Sequence, residues 1–193
     1  MTRFLLINAG PTPWDEEDRI VGNHSLPLTD EARAAMAEKV DRLFEVTAVY
    51  RCKTNEACEE TARLIADKYN LRPGHNEGLD EINLGLWQGL RREELKFRFP
   101  KVVELWQRQP LAVEPPEGES VPVAAERLTD ATRAILKRNR GGTIALPLRP
   151  IALKIIAGFL RRQPLAQTVL TFQGCTTMET IDLSDEDVRL ILD

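Results

Sequence analysis

This sequence predicts an α/β fold: a three-layer αβα sandwich with a mainly parallel central sheet. Two observations carry that prediction. Short apolar runs closed by glycine or proline alternate with longer stretches whose apolar residues recur at helical spacing. The alternation runs along the chain without an internal repeat, a low-complexity tract or a linker. Residues 1–193 therefore read as one domain, of a length usual for a single core.

Residues 4–7 form a short buried strand, ended by Gly10, Pro11 and Pro13. The stretch 15–28 reads as irregular, with turn signals at Gly22-Asn23 and Pro27. Thr29 is a good N-cap, and Asp30 and Glu31 follow in the first turn, where a helix favours acids. Ala32, Met36, Val40 and Leu43 then share one helix face. Residues 48–50 make a second strand. Thr54 is expected to cap the next helix, whose inner face is Ala57, Cys58, Thr61, Leu64, Ile65 and Tyr69. Five glycines or prolines make 71–90 mostly loop, with room for a short strand. Residues 92–99 and 101–107 are short helices broken at Pro100, and 114–120 is a loop. Pro122 suits the first turn of a helix with the stripe Ala124, Leu128, Ala131 and Ile135, which Gly141-Gly142 ends. A strand at 143–148, a helix from Pro150 to Leu160 and strands at 168–172 and 177–183 complete the chain.

Composition narrows the function classes. Apolar residues are 42% and charged residues 29%, with 26 Lys and Arg against 30 Asp and Glu and a net charge of −4. That hydrophobicity excludes disorder, and the absence of a basic excess argues against a nucleic-acid partner. No apolar run is long enough for a signal-peptide core or a membrane span, so no membrane partner is expected. The three cysteines, Cys52, Cys58 and Cys175, have no paired framework and no zinc spacing. A reduced cytoplasmic location and no metal or cofactor are the expectation.

Ligands in such folds sit at the carboxyl ends of the strands. Here those ends are Asn8-Ala9-Gly10, Arg51-Cys52-Lys53 and Leu148-Arg149-Pro150. Six segments, in order, resemble the histidine phosphatase superfamily, the phosphoglycerate mutase-like proteins. Leu5-Leu6-Ile7-Asn8-Ala9-Gly10-Pro11-Thr12 followed by Trp14 is similar to its opening strand and Arg-His-Gly motif. Arg19-Ile20-Val21-Gly22 with Pro27-Leu28-Thr29 is similar to its Arg-x-x-Gly loop and Pro-Leu-Thr helix start. Glu60-Thr61-Ala62 is similar to its second helix, and 79–90 to its glutamate segment ending Gly-x-Trp-x-Gly. Pro115-Pro116-Glu117-Gly118-Glu119-Ser120 is similar to its Pro-x-Gly-Glu-Ser loop, and Gly141-Gly142-Thr143 leads into a strand that normally ends Ser-His-Gly.

The resemblance implies a histidine nucleophile after the first strand, where this chain has Ala9. A methyl group has no lone pair with which to attack phosphorus. The phosphate-clamping arginine before it is Asn8, and the second clamping arginine aligns with Ala57, so the charge-assisted clamp is lost. The second histidine aligns with Arg149 and its glycine with Pro150. Of the five central residues the resemblance retains Glu81, normally the general acid. The two histidines, His24 and His75, stand elsewhere and read as surface or loop residues.

No catalytic residue is therefore expected, and the chain reads as a non-enzyme: a pseudoenzyme with a binding or scaffolding role. The alternative is a binder of an anion or phosphometabolite, with Arg149 as anchor and Asn8, Thr12, Arg51, Lys53 and Glu81 around it. The competing reading of Arg149 is a plug paired with Glu81 or another acid, and this is favoured. Glu81 reads equally as a relic or as a structural acceptor. A relocated nucleophile at Cys52 or His24 is the least favoured route. Trp14, Trp87 and Trp106 read as packing residues. A protein partner, or a small anionic ligand, and a homodimer are the expected associations.

Overall fold

The computed structural model describes residues 1–168 and 178–193. In chain order the elements are β1 (Thr2–Asn8), α1 (Pro13–Glu16), α2 (Asp30–Asp41), β2 (Ala48–Arg51), α3 (Glu56–Tyr69), β3 (Gly74–His75), α4 (Arg92–Arg98), α5 (Pro100–Arg108), α6 (Val121–Arg138), β4 (Thr143–Leu148), α7 (Pro150–Leu160), β5 (Met178–Leu183) and α8 (Asp185–Leu192). The sheet runs β3-β2-β4-β1-β5, parallel except for β5, which pairs antiparallel with β1.

The period-two alternation of the central strands sorts their side chains into two cores. Phe4 and Leu6 of β1, with Ile144, Leu146 and Leu148 of β4, face the larger one, which α6, α7 and α8 cover. Leu5 and Ile7, with Ala145, face the smaller one under α2 and α3. This gives the αβα sandwich, and both faces of β1 and β4 read as continuous apolar runs because both are covered.

Pro147 stands in a central strand, where a missing N–H is normally costly. Register explains it. The β4 pairing with β2 covers Ile144 and Ala145, whereas the pairing with β1 continues to Leu148. Odd positions of β4 direct their backbone toward β2, as the Thr47 N–H to Thr143 carbonyl bond at 2.8 Å shows. Pro147 stands two residues beyond the last β2–β4 pair, so its missing donor falls where that ladder ends.

Three expectations change. Residues 15 and 16, expected to be irregular, belong to a short helix over 13–16, because the Asp15 carboxylate takes the N–H and the hydroxyl of Thr12 at its start. The cap of α3 is Asn55, whose side chain accepts from the Cys58 N–H at 3.1 Å; the N–H of Thr54 goes to Asp80 instead. Helix α8 was not expected, although Ser184 and Asp187 form a capping box at its start. The strand expected at 168–172 lies, beyond Thr168, outside the described residues, as does Cys175. Among the described residues no helix is long and apolar enough to cross a membrane.

Candidate functional site

The ends of β1 and β4 meet below the segment 79–90. The Ala9 N–H donates to the Leu148 carbonyl at 3.0 Å, and the Ala9 carbonyl accepts from the Thr61 hydroxyl at 3.1 Å. The second bond places the first turns of α3 against the end of β1. Ala9 and Ala57 are both fully buried. Asn8 folds its side chain back so that its Oδ1 accepts from the Gly10 N–H at 3.4 Å.

Arg149 is the N-cap residue of α7, and its extended backbone turns the side chain back toward β1. Its side chain is 3% exposed. One Nη donates to the Gly10 carbonyl at 2.7 Å; the other donates to both carboxylate oxygens of Asp15, at 2.9 and 2.8 Å. Its Nε is buried with no acceptor among the described residues. The plug reading thus gains its acid, and the acid is Asp15 rather than Glu81. Asp15 was not a candidate on sequence grounds. The signal available was Thr12-x-x-Asp15, the spacing of a capping box directly after a strand. Thr12 spends both its N–H and its hydroxyl on Asp15, each at 2.7 Å.

Glu81 is 4% exposed and accepts three backbone N–H groups: Ile82 at 2.8 Å, Ile151 at 2.8 Å and Ala152 at 3.0 Å. The last two are unpaired donors of the first turn of α7. Burial pushes its carboxyl above the ordinary range, against the pull of those N–H groups and of the Arg149 charge. This favours Glu81 as a structural acceptor. Arg127, which sequence reasoning missed, locks the same segment. It donates to the carbonyls of Gly78, Asp80 and Glu81, at 3.2, 2.6 and 3.2 Å, and makes a bidentate pair with Glu119, both bonds at 2.7 Å.

Other expected members stand apart. Arg51 donates to the Cys52 carbonyl at 3.1 Å and lies 3.8 Å from Glu59 of α3; Lys53 pairs with Glu77 at the surface. These nearer acids draw both cations away, and neither lines the pocket at Arg149. Cys52 is buried, and contact with Cys52 together with burial holds the Cys58 thiol well above its usual range. The candidate nucleophile Cys52 is 1% exposed, so its thiol is not presented to a substrate. His24 is exposed, its ring stacked 4.5 Å from that of Trp14, and His75 is exposed on β3. Trp87 and Trp106 pack edge to face at 5.9 Å in the core.

What remains at the strand ends is a cavity of about 20 Å³, lined by Asp15, Gly22, Glu81, Arg149 and apolar neighbours. That is room for about one water molecule, not for a phosphoryl group with its oxygens. A phosphate there would meet two carboxyl groups, and the guanidinium that would attract it is already paired.

A model of the histidine phosphatase superfamily, branch 1, matches residues 4–192. The chain belongs to this superfamily. This superfamily member is 29% identical over 133 residues to 2,3-bisphosphoglycerate-dependent phosphoglycerate mutase 2 of Gloeobacter violaceus, a match covering 66% of the chain and 60% of the mutase. The chain thus matches less than two thirds of that relative's length. It is 22% identical over 157 residues to phosphoserine phosphatase 1 of Hydrogenobacter thermophilus, covering 80% and 74%. The solved structure of YhfR from Bacillus stearothermophilus shares the fold, with a TM-score of 0.83, 24% identity and coverage of 96% and 93%. Relatives named as a mutase and a phosphatase point to an enzyme. This corrects the expectation, drawn from the missing histidines, that the superfamily member is a non-enzyme.

Proposed function

We propose that the strand-end pocket of this histidine phosphatase superfamily chain does not form a phosphohistidine and that the fold is used there for binding, as a rigid scaffold. One observation carries the reading: Arg149 is buried and spends its guanidinium on Asp15 and the Gly10 carbonyl, beside Ala9 where the resemblance implies a nucleophile. The proposal concerns one route at one pocket; catalysis by other groups of the chain lies outside it. A second reading, a small acceptor held by Arg149, is favoured by its buried Nε without an acceptor among the described residues. The available volume limits such a guest to about the size of water unless Asp15 moves away.

The test is turnover of an aryl phosphate and of phosphoglycerates by the purified protein, beside an Arg149→Ala, Glu81→Ala double variant. The expected outcome is the same rate for both, since neither residue carries a phosphohistidine route. Turnover above that of the variant overturns the reading. A thermal-shift series with inorganic phosphate separates the second reading, since a specific ligand raises Tm with the logarithm of its concentration.

A further inference from the structure

The segment Lys96-Phe97-Arg98-Phe99-Pro100-Lys101 joins α4 to α5, and all six residues are exposed. Pro100 has no N–H to continue α4, so the chain turns at Phe99 and starts a new helix. The turn carries Phe97, 89% exposed, and Phe99, 44% exposed, on its outside. Lys96, Arg98 and Lys101 make no ion pair among the described residues. Two of the three nearby acids are engaged: Glu94 accepts from the Arg91 N–H at 2.8 Å, and Glu104 pairs with Arg108 at 2.9 Å, which among the described residues leaves Glu93 alone against three cations.

Residues 91–108 hold six basic and three acidic side chains, a net charge of +3, in a chain whose total is −4. The corner is therefore a local positive field on an acidic protein. Its two aromatic rings are left in water at a cost that core packing does not require.

We infer that this corner docks the protein on an anionic lipid surface, with Phe97 and Phe99 entering the headgroup boundary and Lys96, Arg98 and Lys101 meeting the lipid phosphates. Charge complementarity supplies the long-range attraction, and ring burial supplies the short-range part. An acidic peptide matches the charge as well. A ring exposed as fully as Phe97, however, has almost no protein wall beside it against which a peptide could lie. This inference departs from the expectation of no membrane partner, which rested on the lack of a spanning segment. It is independent of the pocket at Arg149.

The test is cosedimentation of the full chain with vesicles of phosphatidylcholine plus phosphatidylglycerol, and with phosphatidylcholine vesicles alone. The expected result is binding to the mixed vesicles, weakened by salt, and little binding to the neutral ones. Reversing Lys96, Arg98 and Lys101 to Glu lowers affinity by about a hundredfold or more, and Phe97→Ser by about tenfold. All these positions are exposed, so the variants keep the fold, which circular dichroism checks. No binding to mixed vesicles at low salt overturns the proposal, as does binding that these variants leave unchanged. Retention on polyglutamate without vesicle binding overturns it in favour of an acidic protein. A dimer that Phe97→Ser dissociates, again without vesicle binding, overturns it in favour of a second copy.

Discussion

Glu81 is held by two opposed effects, and the balance between them is measurable. Burial disfavours its carboxylate, whereas the N–H groups of Ile82, Ile151 and Ala152 and the Arg149 charge favour it; burial prevails and the carboxyl is raised. A carboxyl raised in the folded state binds its proton more tightly there than in the unfolded chain. Its contribution to stability is therefore fully present below the ordinary carboxyl range and falls as pH rises through that range toward the raised value. Glu81→Gln removes this dependence. It also turns an amide NH2 toward a backbone N–H, which costs about 1 kcal/mol. Urea unfolding of both proteins from acid to neutral pH should show wild type more stable at low pH, with the gap narrowing as pH rises. A gap that widens instead would mean that the N–H groups and Arg149 outweigh burial. Arg149 and Asp15 teach a related point about legibility. A cation at a strand end was visible in the sequence; its partner was not, because Asp15 sits in a stretch that reads as irregular until its cap with Thr12 is seen.

At the scale of elements, the cap of α3 separates what spacing can decide from what it cannot. Thr54 and Asn55 are adjacent, and both are residue types that cap helices. The choice is made by Asp80, 26 residues from Thr54, whose carboxylate takes the N–H groups of Lys53 and Thr54. Asn55 then caps Cys58 and also donates to the His24 carbonyl at 3.2 Å. Asn55→Ala should lower stability by about 1–2 kcal/mol, and Thr54→Ala by less than about 0.5 kcal/mol. Chemical denaturation of the two variants checks the order, and equal losses would restore the cap to Thr54. The same limit governs the rest of the fold. Strands β1 and β4 and helices α2, α6 and α7 were legible because each carries its own periodicity. The 79–90 segment carries no periodicity of its own, because tertiary bonds hold it; only the resemblance set Glu81 beside Arg149, where both line the same pocket. Gly85, for example, has φ of +51°, and an added Cβ would lie 2.0 Å from the Pro116 carbonyl of a distant loop.

For the whole molecule, the question is whether the segment over the strand ends moves as a lid or belongs to the core. Local composition suggests a lid, since 71–90 carries four glycines and little regular structure. The bonds suggest otherwise. Glu81 ties the segment to the first turn of α7, and Arg127 ties it to α6 and to the loop at Glu119. Leu79, Ile82, Leu84 and Trp87 are buried in the larger core. Lifting the segment would expose all four side chains and strand the Glu81 carboxyl, two donors of α7 and the Arg127 guanidinium together. Exposing the four apolar side chains alone costs about 6 kcal/mol at the low end of about 1.5 kcal/mol each, which is comparable with the whole stability of a domain. Opening of this segment and global unfolding should therefore be one event. Native-state hydrogen exchange tests this through the amides of Ile82, Ile151 and Ala152. They should exchange with the same free energy as Leu6 and Ala145 at the centre of the sheet. Exchange at those three amides faster than in the strands by orders of magnitude would identify a lid, and with it a strand-end pocket that opens.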